Sequence, residues 1–155
     1  MVYLVSACLL GVNTRYDGNE NLYEDICNHP HGVLLVPVCP EQLGGLPTPR
    51  PPVEISGGSG LDIWEGTVEG TAAALQKDGT DVTENFLAGA QETLKIARLV
   101  GAEGAILKTG SPSCGKGYIR NGTFQKKWKR GDGVTVSLLE KEGIKVYTEE
   151  NLPWS

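Results

Sequence analysis

The chain has 155 residues, 39% of them hydrophobic, with a net charge of −5 and a pI near 5.0. This length and apolar content predict one compact domain with a sizeable core over residues 1–155. The acidic balance does not suggest a nucleic-acid surface, and no apolar run approaches the roughly 20 residues that span a bilayer.

"VYLVSA" (2–7) is a continuous apolar run with β-branched residues, the pattern of a strand buried on both faces. The "VSACLLG" that closes it resembles a lipoprotein cleavage box. Cys8 comes too early for that, with neither a basic stretch nor an apolar segment of about 7–15 residues before it. A cytoplasmic setting with reduced thiols is expected. "NLYEDICN" (21–28) predicts a short helix that stops near His29-Pro30. "GVLLVPV" (32–38) predicts a second strand of the same buried kind, with Pro37 expected to end its ladder. "PTPRPP" (47–52) is extended and cannot be helical, and "ISGGSG" is a flexible loop.

The segment 61–82, containing Asp78-Gly79, is expected to be a small hairpin excursion. Asp81 and Glu84 read as a capping-box start of a helix of about 18 residues, with Phe86, Leu87, Ala90, Leu94, Ala97 and Val100 on one face. Gly101 is its stop. "EGAILK" (103–108) predicts a third strand, "VTVSLLEKEG" (134–143) a second long helix, and "IKVYT" (144–148) a fourth strand. Strands alternating with helices imply an α/β fold, Rossmann-like, with a mostly parallel sheet flanked by helices. The basic "KKWKR" (126–130) reads as a solvated loop, with binding of an anionic ligand or RNA as the other use of its charges.

The four cysteines stand at 8, 27, 39 and 114, with no C-x-x-C spacing. Cys8, Cys39 and Cys114 each follow a predicted strand. A parallel sheet gathers its strand ends on one edge, where open α/β folds place their ligands. Three converging thiols suit a 4Fe–4S cluster with one iron left open; free thiols and zinc are the other readings. Cys27, with His29 and His31, makes a C-x-H-x-H spacing that a metal fragment could use, but reads first as a packed cysteine beside two loop histidines. Glu41, two residues after Cys39, reads either as a helix-start or surface glutamate or as a carboxylate beside a cluster and an apolar rim, placed for proton transfer. "GSPSCG" (110–115) offers the Ser111 and Ser113 hydroxyls and free backbone N–H groups, suited to an anionic cluster or a phosphate. It lacks the P-loop pattern, so nucleotide binding of that kind is not indicated.

Three stretches, "SACLLGVNTRYDG", "VPVCPEQLGGLPTPRPPVEI" and "ILKTGSPSCGKG" with the later "GDGVTVSLLEKEGI", resemble the 2-thiouracil desulfidase family. The resemblance runs from about residue 3 to 152. It implies a 4Fe–4S cluster on Cys8, Cys39 and Cys114, whose open iron captures the sulfur of a small thiolated nucleobase. It implies Glu41 as the proton-transfer residue and Ser111 as the group assisting at the reacting carbon, with Ser113 a substrate-binding neighbour. The implied reaction replaces C=S by C=O, releases sulfide and transfers no net electrons. The readings from other classes are a non-catalytic sulfur or metal carrier and a cluster-free module binding an anionic small molecule.

Overall fold

The computed structural model describes residues 1–66 and 72–154. In chain order its elements are β1 (Val2–Ser6), a 3₁₀ turn (Ala7–Leu10), α1 (Glu24–Cys27), β2 (Leu34–Val38), α2 (Pro40–Leu43), β3 (Val53–Ser56) and α3 (Gly60–Glu65). There follow β4 (Ala73–Gln76), α4 (Thr83–Leu99), β5 (Gly104–Leu107), β6 (Tyr118–Arg120), β7 (Trp128–Arg130), α5 (Val134–Lys141) and β8 (Lys145–Thr148).

A four-stranded sheet in the order β2-β1-β5-β8 is parallel throughout. Strand alternation splits its apolar residues between two cores. Leu4, Ala105 and Leu107 face α4 and α5 and pack with Phe86, Leu94, Val136 and Leu139. Tyr3, Val5 and Ile106 face the other way, against Leu9, Ile26 and Leu152. Each fully buried side chain of this size contributes about 1.5–3 kcal/mol relative to exposure. The chain leaves β1 toward β2 and leaves β5 toward β8, in opposite directions. The crevice between the ends of β1 and β5 is therefore a topological switch point.

Several boundaries differ from the sequence expectation for physical reasons. The second strand is an edge strand, not one buried on both faces, and Leu34 is 59% exposed. Its ladder runs on past Pro37 to Ser6↔Val38. Leu34 N–H donates to Met1 O, so the N–H of every second residue points inward and Pro37 falls in the outward set, where no donor is required. The Asp81–Glu84 capping box does not form. Asp81 Oδ1 accepts the Thr83 N–H at 2.8 Å, and Val82 is the N-cap. A capping box does form at Ser59 and Asp62, at the head of α3.

The 61–82 excursion contains most of α3 and then β4, which pairs antiparallel with β3. The Asp78-Gly79 turn follows it, closed by Gly79 N–H to Gln76 O and Gln76 N–H to Thr80 O; the part of the excursion at 67–71 lies outside the described residues. The "KKWKR" stretch is not a loop throughout: Trp128–Arg130 is β7, paired antiparallel with β6.

Helix α2 is held tightly against α4. A Cβ on Gly89 would lie 1.9 Å from Pro40 O, and one on Gly44 would lie 2.0 Å from Asn85 O. Only glycine permits that approach. It fixes the short helix that follows Cys39 and carries Glu41.

Candidate active site

A cavity of about 550 Å³ opens at the C-terminal edge of the sheet, lined by Cys8, Cys39, Glu41, Ser111, Ser113 and Cys114 among others. All six residues singled out from the sequence thus meet at one place. Cys8 lies in the 3₁₀ turn after β1, Cys39 is the N-cap of α2 just past β2, and Cys114 lies in the loop after β5.

None of the three thiols is in a disulfide. Burial pushes the Cys8 thiol above its usual range, offset in part by a hydrogen bond from Asn21, with Cys39 adding to the rise. Burial likewise pushes Cys114 up to about 12, against hydrogen bonds from Ser6 and Ser113 that favour the thiolate. Cys39 and Cys8 both add to that rise, so the three sulfurs feel one another. Among the described residues no group of three His, Cys, Asp or Glu side chains is arranged to hold a single metal ion. Cys27 is exposed at the end of α1, so the expectation of a packed thiol does not hold there.

Glu41 does not meet an apolar rim. Its Oε1 accepts from Arg50 Nε at 3.0 Å, within an ion pair whose side chains are 4% and 14% exposed for Arg50 and Glu41. Arg50 also donates through Nη1 to Pro47 O at 3.2 Å and Thr48 Oγ1 at 2.8 Å, and through Nη2 to Thr14 O at 2.9 Å. The same Nη2 lies 3.9 Å from Cys39 Sγ. One buried guanidinium therefore ties the carboxylate, the Cys39 turn and the 47–50 segment together. Sequence reading passed over Arg50 as part of a rigid stretch. The signal was a lone arginine among four prolines, a place where extended backbone aims a side chain rather than leaving it free.

The other Glu41 oxygen, Oε2, accepts from Ser113 Oγ at 3.2 Å. Ser113 Oγ lies 3.1 Å from Ser111 Oγ. Ser111 Oγ accepts the backbone N–H groups of Ser113 at 3.2 Å and Cys114 at 3.0 Å. The Gly115 N–H goes to Ser111 O at 2.8 Å. The Ser113, Cys114 and Gly115 amides are thus engaged within the turn, not free to cradle a phosphate as the loop's composition suggested. Its carbonyls are engaged too, since Pro112 O and Ser113 O accept the Val134, Thr135 and Val136 N–H groups at the start of α5. A turn bonded on both sides holds Cys114 and the two hydroxyls rigidly.

A model of the 2-thiouracil desulfurase family matches residues 3–151. The chain belongs to that family. It is 45% identical over 149 residues to the uncharacterized protein YbbK of Bacillus subtilis (strain 168), covering 96% of each chain. Its fold is similar to the solved structure of the [4Fe-4S]-dependent thiouracil desulfidase TudS, with a TM-score of 0.77 and 39% identity over 98% of this chain and 93% of that one. Among the described residues no helix is long and apolar enough to cross a membrane.

Proposed function

We propose that this chain is an iron–sulfur-dependent desulfidase that exchanges the sulfur of a thiolated nucleobase such as 2-thiouracil for oxygen and releases sulfide. The observation that carries the reading is the meeting of three soft thiols with the Glu41–Ser113 pair in one cavity at the sheet edge. Membership of the 2-thiouracil desulfurase family and the 39% identity to a [4Fe-4S]-dependent thiouracil desulfidase support it.

The donor set suits such a cluster: thiolates are the usual ligands of Fe–S clusters, and the three thiols share one cavity without gathering to a single-ion site. Cys8, Cys39 and Cys114 would hold a 4Fe–4S cluster, which when bound supplies an iron without a protein ligand as a soft Lewis acid toward a thiocarbonyl. Glu41 takes a proton from the water that adds to the ring carbon, and Arg50 holds the carboxylate in place for it. Ser113 keeps the second carboxylate oxygen oriented, and Ser111 extends the hydroxyl chain toward the cavity. The C–S bond breaks as the C=O bond forms, so C=S and H₂O become C=O and H₂S with no electrons left over. A mere sulfur carrier has no need of a buried arginine–carboxylate–serine network beside its thiols.

Six basic side chains and two carboxylates are among the residues lining the cavity, although the chain as a whole is acidic. That excess leaves room for a base bearing a negatively charged substituent. The test is anaerobic reconstitution with iron and sulfide, followed by incubation with 2-thiouracil. Stoichiometric uracil and sulfide are expected. A protein that binds about four irons per chain yet releases neither would overturn the reading.

A further inference from the structure

We infer that the β6–β7 hairpin is the arm that grips the flat ring of the substrate, with Trp128 as its stacking surface. The inference rests on the desulfidase reading for the identity of the ring, and on separate observations for the arm. Trp128, Arg120, Phe124 and Lys126 all belong to this hairpin, and all four line the cavity.

Trp128 is 51% exposed, an unusual state for an indole that is otherwise well held. The Arg120 guanidinium sits 3.8 Å from its ring centroid, opposite it in the ladder register. Tyr118 meets it edge-on at 5.1 Å. Gly110 lies so close that a Cβ there would come within 2.8 Å of the indole, and its φ of +77° also favours glycine. Trp128 therefore rests on the residue immediately before Ser111. The ring is locked beside the proposed reaction centre and yet half open, which is what a stacking platform requires.

The hairpin loop carries the strain expected of a ligand clamp. Phe124 and Lys126 both have φ of +58°, and they are the non-glycine residues with positive φ among those described. Such backbone is costly and persists only where neighbours impose it. Here the neighbour is Glu54, a 7% exposed carboxylate on β3 whose Oε1 accepts the Gly122 N–H at 3.0 Å and the Phe124 N–H at 3.1 Å. Lys129 Nζ adds a bond to Ile55 O at 2.8 Å. The arm is thus braced against β3 before any ligand arrives. With the Arg120 guanidinium already over the indole, a flat heteroaromatic ring is the ligand class that stacks on the part of the indole left exposed.

The experiment compares Trp128→Phe, which keeps a π face, with Trp128→Leu, which keeps apolar bulk without one, both in the anaerobically reconstituted full chain. Iron and sulfide content and the visible spectrum should match wild type in both. The KM for 2-thiouracil should rise about tenfold or more in Trp128→Leu and much less in Trp128→Phe, while kcat per cluster changes far less than KM. Calorimetric titration with uracil, which is not turned over, should show the same order of affinities. Equal KM values and equal uracil affinities in all three proteins would overturn the arm, as would loss of the cluster in both variants. A wild type that binds uracil Trp128-dependently but releases no sulfide supports the arm while overturning the desulfidase reading.

Discussion

Arg50 Nε lies 3.0 Å from Glu41 Oε1, and the same guanidinium reaches to within 3.9 Å of Cys39 Sγ. Proposed base and proposed ligand are therefore set by one buried cation. Removing it strips the carboxylate of its partner in a place with little solvent to replace it. Arg50→Met should destabilise the chain by about 3–5 kcal/mol, the range for breaking a buried pair from one side. Pairing that change with Glu41→Gln should recover part of the loss, because the two effects are not additive for residues in contact. Denaturant unfolding of the two single variants and the double variant measures this. Strict additivity would separate the pair.

Glu41→Gln is the milder change. The amide oxygen can still accept from Arg50 Nε, and the amide nitrogen can donate to Ser113 Oγ, so the network keeps its shape with one charge removed. Loss of a charge-assisted bond costs about 1.5–3 kcal/mol. Sulfide release per bound iron should fall by about 10²–10⁴-fold, the usual consequence of losing a general acid–base group. Turnover like wild type would remove Glu41 from the chemistry.

Gly89→Ala opposes two effects of different size. Helix propensity alone favours alanine in the middle of α4 by about 1 kcal/mol. The new Cβ, however, would lie 1.9 Å from the Pro40 carbonyl oxygen, which belongs to backbone and has nowhere to swing. Sterics should win, lowering stability by about 1–3 kcal/mol as overpacking does and shifting the turn that carries Cys39. Thermal unfolding that moves upward instead would show that α2 and α4 can separate freely.

What could be read ahead of the structure follows from which signals are local. β1 and β5 are visible as unbroken apolar runs because β5 is buried at all four positions and β1 at its last four. The Gly101 stop is visible because φ of +64° there favours glycine. β7 is not, because a short basic strand owes its state to pairing with Tyr118–Arg120 and to Lys129 on Ile55 O, both tertiary. The Glu41–Arg50 pair is hidden for the same reason: nine residues separate the partners across irregular chain, where no periodicity marks a shared face. Thiol convergence was legible because it depends only on strand order and direction.

The cysteines divide by burial. Cys8→Ala, Cys39→Ala and Cys114→Ala should each fail to hold the roughly four irons of a 4Fe–4S cluster, whereas Cys27→Ala should hold it, since Cys27 is exposed away from the cavity. In metal-free protein, iodoacetamide should modify Cys27 first and Cys114 last. Burial raises Cys114 from 9.0 to about 12, leaving little thiolate at neutral pH. A raised value means the folded chain holds that proton more tightly than the unfolded one. The resulting stability is complete below about pH 9 and is lost as pH rises toward 12. Peptide mapping after timed alkylation gives the order, and early labelling of Cys114 would contradict the burial.

Ser111 and Ser113 share a turn but not a role. Ser113 Oγ has one proton and two acceptors, Glu41 Oε2 at 3.2 Å and Cys114 Sγ at 3.6 Å, and the nearer, charged carboxylate takes it. Ser111 Oγ, which accepts two backbone N–H groups, then donates to Ser113 Oγ at 3.1 Å. The chain of hydroxyls runs from the loop to the carboxylate in one direction. Ser113→Ala cuts it next to Glu41 and leaves the turn's backbone bonds intact, so cluster content should hold while sulfide release per iron falls. Ser111→Ala removes the head of the chain and the acceptor that closes the turn. It should lose about 0.5–2 kcal/mol of stability, as a lost helix-cap serine does, together with some iron and part of the normalised rate. The two variants are separated by dividing sulfide release by bound iron and comparing each with its unfolding midpoint. If Ser111→Ala loses stability and iron but keeps the wild-type rate per cluster, Ser111 only closes the turn, and Ser113 alone carries the contact to Glu41.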